Sequence, residues 1–256
     1  MSVDPEAGTG SNAPFHQQGS NGAAVLILHG FTAGPAGLLP WARSLAAAGY
    51  TVDLPLLPGH GTSWQDLAGM KYTEILAAAQ QRYAALAATH RQVFVAGLSM
   101  GGALALNLAA THQVAGLALV NPGLSIASPL APFTGVLRHL LPSVPGIAND
   151  MAKPGGDEHA YARTPVAGVH QLRKLFAETI TLLPRITAPV LVFRSDTDHV
   201  VPESSMRILR RGLSENVHLE VNRLTRSYHV ATLDYEAESI FARTISFFQE
   251  VQQQRP

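Results

Sequence analysis

The chain has 256 residues, 46% hydrophobic and 14% charged, with 18 basic and 18 acidic side chains and no cysteine. That length favours one large domain, or one domain carrying an insertion. Balanced charge leaves no global field to attract phosphate backbones, and the basic clusters Arg207/Arg210/Arg211 and Arg223/Arg226 are short and interrupted, so no nucleic-acid partner is expected; the missing cysteines exclude a disulfide framework and a thiolate metal site.

Residues 1–22 are rich in Gly, Ser, Asn and Pro and are expected to form a flexible tail or a loosely attached strand. They lack a basic start followed by an apolar stretch, so no signal peptide is expected. No apolar run approaches the roughly 18 residues of a membrane span. The expectation is a soluble, cytoplasmic protein.

From Ala23 to Leu28 the chain is continuously apolar, the pattern of a strand buried on both faces. Val93 to Ala96, Leu117 to Val120 and Val190 to Phe193 read the same way, with shorter candidates at Tyr50 to Leu54 and Val217 to Val221. Stretches of helical composition lie between them, at 36–48, 72–90, 101–111, 204–213 and 236–253. Alternation of this kind predicts an α/β fold with a mostly parallel sheet covered by helices. The alternation breaks between about Pro122 and Arg185, where Pro, Gly and Ser punctuate short apolar segments ahead of a helix-like portion at 166–183. So long a stretch predicts an inserted cap at 122–187, splitting the core into 23–121 and 188–256.

The pattern Gly97-Leu98-Ser99-Met100-Gly101 follows one apolar run directly and opens a helical stretch. G-x-S-x-G between strand and helix forces a turn within a residue or two, holding the serine in a strained conformation that only small neighbours allow. Ser99 is then a nucleophile candidate, and the backbone N–H of Met100 can face a developing oxyanion. A serine hydroxyl needs a histidine base oriented by a carboxylate. Two carboxylates, Asp196 and Asp198, lie just past the run Val190 to Phe193, where catalytic groups of open α/β sheets gather. His29, His60 and His199 compete for the base, but His229 alone follows the acid-bearing loop and precedes the last helical stretch.

These residues, together with His29-Gly30-Phe31, Pro58-Gly59-His60-Gly61, Asp198-His199-Val200-Val201-Pro202 and Ser227-Tyr228-His229-Val230, resemble the α/β-hydrolase superfamily, more narrowly its small bacterial carboxylesterases and monoacylglycerol lipases with a compact cap. The resemblance runs from about Ala23 to Phe248. It implies Ser99 as nucleophile, His229 as general base and later acid, Asp198 as the orienting acid with Asp196 as runner-up, and the Phe31 N–H as second oxyanion donor. Ser195 stands where the family pattern carries glycine, which bears on the acid loop's geometry. Asp is expected at the nucleophile position of dehalogenases and epoxide hydrolases, so Ser99 argues against both.

The predicted cap is mostly apolar, which fits an ester of a medium or long aliphatic acid, monoacylglycerols included, or else a surface sealed onto the core. Phe31, Trp64, Leu124, Ile126, Phe133 and Leu137 are the pocket candidates. No metal is expected, for want of a His-x-x-x-His or carboxylate cluster, and no cofactor, because His-Gly-Phe-Thr-Ala-Gly-Pro lacks dinucleotide-binding glycine spacing. Other reactions with the same triad (acyl transfer, thioester hydrolysis or C–C cleavage) and a non-catalytic ligand-binding role are the alternatives.

Overall fold

A computed structural model describes residues 12–254. Strands β1 (Phe15–Gln17), β2 (Ala23–Leu28), β3 (Thr51–Leu54), β4 (Gln92–Leu98) and β5 (Leu117–Val120) alternate with helices α1 (Leu39–Ala47), α2 (Trp64–Gly69), α3 (Tyr72–Ala87) and α4 (Met100–Thr111). Then come α5 (Thr134–Leu137), the short strands β6 (Ser143–Pro145) and β7 (Arg163–Pro165), and α6 (Val166–Leu182). The chain closes with β8 (Val190–Ser195), α7 (Ser204–Gly212), β9 (Leu219–Leu224) and α8 (Ala237–Gln254).

Seven strands form one sheet in the order β1-β3-β2-β4-β5-β8-β9, parallel throughout except for β1, which runs antiparallel along β3. The continuously apolar runs lie at its centre, where alternate side chains enter two cores. Ala24, Leu26, Val93 and Val95 point to one face, and Val25, Ile27, Phe94 and Ala96 to the other. Helix α4 is buried on every side between the sheet and α6, which is why its sequence is apolar all round rather than striped.

Part of the expected tail is therefore structured: Phe15 pairs with Leu54 and Gln17 with Val52, extending the sheet by an edge strand. Residues 1–11, the rest of that tail, lie outside the described residues. The last strand falls two to three residues later than the apolar run Val217 to Val221 indicates, because its register follows β8, with Val190 opposite Leu219. Sequence reading passed over α2, a single short helix whose start is capped by the Ser63 hydroxyl accepting the Asp66 N–H.

Two of the motifs named above meet beneath the sheet's C-terminal edge. His29 Nε2 accepts the Leu57 N–H at 3.0 Å, so its Nδ1–H donates to the Gly30 carbonyl, and its ring packs edge-on against His60 at 4.8 Å. Burial, with help from neighbouring His60, pushes the His29 pKa down to about 3 against the pull of the Gly30 carbonyl; burial pushes His60 down to about 4. Unfolded, each ring takes up a proton below about pH 6.5, while the folded protein refuses it. Stability is therefore full above that pH and lost as pH falls toward the folded values, by about 1.4 kcal/mol per pH unit for each ring. Urea titrations at pH 7, 6 and 5 are expected to show a steadily falling midpoint; a flat one would remove this account.

Candidate active site

Ser99 occupies the sharp turn from β4 into α4 at φ 56° and ψ −116°, a backbone region that residues bearing a β-carbon rarely enter. Two features force it there. A β-carbon on Gly101 would run into the Leu28 carbonyl, and one on Gly97 into the Gly101 carbonyl, so β4, β2 and α4 approach as closely as they do only because both are glycine. The turn is held by the Ser99 N–H donating to the Val120 carbonyl at 3.1 Å and by the Gly123 N–H donating to the Ser99 carbonyl at 3.0 Å. Met100, as the first residue of α4, has an amide N–H with no helical carbonyl to receive it. Phe31 sits in the turn after β2, and Gly30, Phe31, Ser99 and His229 line one cavity.

Asp198, in the loop after β8, has a side chain fully withdrawn from solvent. Its carboxylate lies 3.0 Å and 3.1 Å from His229 Nδ1 and accepts the N–H groups of Val200 and Val201 and, at 2.6 Å, the guanidinium of Arg194. Burial alone would raise its pKa; the hydrogen bond and charge of His229, the Val201 amide and Arg194 outweigh burial and hold it below the ordinary value. With Nδ1–H donated to Asp198, His229 keeps Nε2 as an acceptor. Asp196 goes elsewhere: its side chain, 44% exposed, pairs with Arg223 at 2.6 Å.

Three residues that sequence reading missed hold these loops. Asn121, at the end of β5 with φ 44°, donates from Nδ2 to Ser195 Oγ and to the His229 carbonyl, both at 2.9 Å, and accepts the Ser195 N–H through Oδ1. Ser195 Oγ donates onward to the Tyr228 carbonyl at 2.8 Å. The serine in the family's glycine position is thereby absorbed as a link between the acid strand and the base loop. Arg194, almost fully buried, joins Asp198 to the Val201 carbonyl and to Glu203. Asp150 reaches the base loop from the segment between β5 and β8. An Asn-Pro pair closing an apolar run was the only sequence signal for Asn121; Arg194 and Asp150 left none.

The cavity has a volume of about 320 Å³. One face of α6 supplies a wall, with Val166, Val169, Leu172 and Phe176 at helical spacing. Thr134, Leu137 and Leu141 also line the cavity, while Phe133, Val136 and Leu140 are exposed to solvent. Of the pocket candidates, Phe31, Ile126 and Leu137 line the cavity; Trp64, Leu124 and Phe133 do not. Phe133 is 61% exposed on the outward face, Leu124 is buried in the core with its N–H on Ser205 Oγ, and Trp64 opens α2, which packs against β7 and α6 instead. Thr32, Asp150 and Glu158 are among the polar residues that line the cavity. Burial, with smaller contributions from Asp157 and Asp150, raises the Glu158 carboxyl above its ordinary pKa although the Asn149 amide and His229 pull it down. Among the described residues no group of His, Asp and Glu could hold a metal ion, and no helix is long and apolar enough to cross a membrane.

A mostly parallel sheet with a strained serine between strand and helix, and a buried carboxylate–histidine pair on loops at the same edge, is the architecture of an α/β hydrolase. The chain belongs to the α/β hydrolase family, whose model matches residues 25–238. It is a carboxylic ester hydrolase. It is similar to a thermostable monoacylglycerol lipase of Bacillus sp. (strain H-257), 41% identical over 92% of this chain and 93% of that one, and to a carboxylesterase of Bacillus subtilis (strain 168), 25% identical over 93% and 96%. Among solved structures it resembles one described for LipS and LipT, two metagenome-derived lipolytic enzymes, with a TM-score of 0.90 and 33% identity over 95% of this chain and 99% of that one.

Proposed function

We propose that the protein cleaves esters of medium to long aliphatic acids, monoacylglycerols among them, through an acyl intermediate on Ser99. Ser99 Oγ attacks the ester carbonyl as His229 Nε2 takes its proton, and Asp198 holds the ring and balances the imidazolium. The N–H groups of Phe31 and Met100 receive the oxyanion. His229 then protonates the departing alcohol and activates the water that releases the acid. The observation that carries this reading is the buried Asp198–His229 pair, whose histidine lines an apolar cavity with the strained Ser99. The segment at 122–187 acts as the cap: its α6 wall takes the acyl chain, and Thr32 and Glu158 offer polar atoms to the alcohol.

Each methylene buried is worth about 0.8 kcal/mol, so kcat/KM is expected to climb about fourfold per carbon until the cavity is filled. Turnover of p-nitrophenyl esters from acetate to palmitate, followed by glycerol release from monoacylglycerols, tests this. No turnover of any ester by the folded protein would overturn the reading. Leu172→Trp narrows the α6 wall and is expected to move the preferred acyl length shorter while acetate hydrolysis changes only a few-fold. An unchanged length profile would place the chain along another wall.

A further inference from the structure

The segment between β5 and β8 does more than wall the cavity. At Asp150 it is bonded to both loops that carry the acid and the base. Asp150 Oδ2 accepts the His199 N–H at 3.1 Å and the His229 N–H at 3.3 Å, and Oδ1 takes the His199 ring Nδ1 at 2.7 Å. The Asp150 carbonyl accepts the Val230 N–H at 3.0 Å, and the His199 ring stands edge-on to Tyr228 at 5.0 Å. Asp234 stitches the same junction in the opposite direction: its buried carboxylate, just beyond His229, accepts the N–H groups of Ala152, Lys153 and Tyr228. His199 adjoins Asp198, so one carboxylate spans the residue after the acid and the backbone of the base.

We infer that Asp150 is a positioning residue: by holding the His199 and His229 amides on one carboxylate it fixes the distance between the loop bearing Asp198 and the loop bearing His229. This rests on the triad proposed above. Neither loop belongs to a helix or strand, so neither has a ladder of backbone bonds to set its place. A misplacement of about 1 Å costs on the order of 10²-fold in rate. The tie is made from outside the core and adds to the bonds by which Asn121 and Ser195 hold the base loop from the core side.

The test uses the full chain and p-nitrophenyl butyrate. Asp150→Ala is expected to lower kcat about 10- to 100-fold with KM within about threefold, because the bonds lost are to the loops and not to the ester. Asp150→Asn keeps a side-chain oxygen for the two amides and is expected to recover most of that loss; a role through charge would leave it as slow as the alanine variant. The proton between His229 and Asp198, resolved far downfield in the proton NMR spectrum and identified by its loss in His229→Gln, is expected to broaden by exchange in Asp150→Ala and to return in Asp150→Asn. Should the alanine variant fail to fold, Asp150→Ser, too short to span both amides, takes its place. The inference is overturned if kcat stays within twofold of the parent, if the loss falls on KM alone, or if the asparagine variant is as impaired as alanine. A parent enzyme without ester turnover, or one unaffected by loss of Ser99, instead removes the triad proposal beneath it.

Discussion

Ser99→Ala is expected to lower ester turnover by about 10⁵- to 10⁶-fold while leaving the fold intact, because removing the nucleophile leaves only binding and the oxyanion donors. The substitution deletes one oxygen and keeps the β-carbon, so alanine still sits at φ 56° and retains the strain. Ser99→Gly is expected to be equally inactive but more stable by about 1–2 kcal/mol, since glycine occupies that region freely. Steady-state kinetics and chemical denaturation of the two variants side by side separate reactivity from strain. Residual turnover above a hundredth of the parent in either variant would mean that another group attacks the ester. Equal denaturation midpoints would mean that the turn costs nothing.

Asp198→Asn is expected to reduce kcat by about 10⁴-fold, the loss seen when an acid that fixes the tautomer of a catalytic histidine becomes an amide. An amide can present its N–H₂ to His229 Nδ1, which favours the ring tautomer with its proton on Nε2, the wrong nitrogen for a base. Stability is expected to fall as well, by about 1–3 kcal/mol, because the buried Arg194 guanidinium loses its shortest anionic contact and keeps Glu203 and the Val201 carbonyl. Asp196→Asn is the control. Its pair with Arg223 is solvent-exposed, and such pairs contribute at most about 1 kcal/mol, so both kcat and stability are expected to stay close to the parent's. The reverse pattern would make Asp196 the acid and require the loop after β8 to rearrange in the working enzyme.

How legible the site was depended on how far each signal extends along the chain. Ser99 could be read because strand, turn and helix are consecutive: the glycines that permit the strained serine lie two residues to either side. His229 could be read from chain order. The choice between Asp196 and Asp198 came from a resemblance, and the structure decides which carboxylate lies against His229 through Arg194, Val200 and Val201, which surround Asp198 while Arg223 draws Asp196 outward. The composition of residues 122–187 said that apolar residues were present but not which way they faced. Leu137 and Phe133 lie a turn apart, one facing the cavity and the other solvent, and only the packing of α5 against α6 sets that direction.

Continuous apolar runs and the glycine-flanked serine thus determined the central strands and the turn at Ser99 by themselves, because strand burial and a rarely entered backbone region act over a few neighbouring residues. Tertiary structure alone decided the rest: the edge strand at Phe15, the cavity's walls, and the bonds of Asn121, Arg194 and Asp150 to the loops that carry Asp198 and His229. Those bonds satisfy buried polar groups whose partners are set by where distant loops meet at the sheet's edge, and a hydrogen-bonding requirement that can be met from anywhere in the chain leaves no local pattern in the sequence.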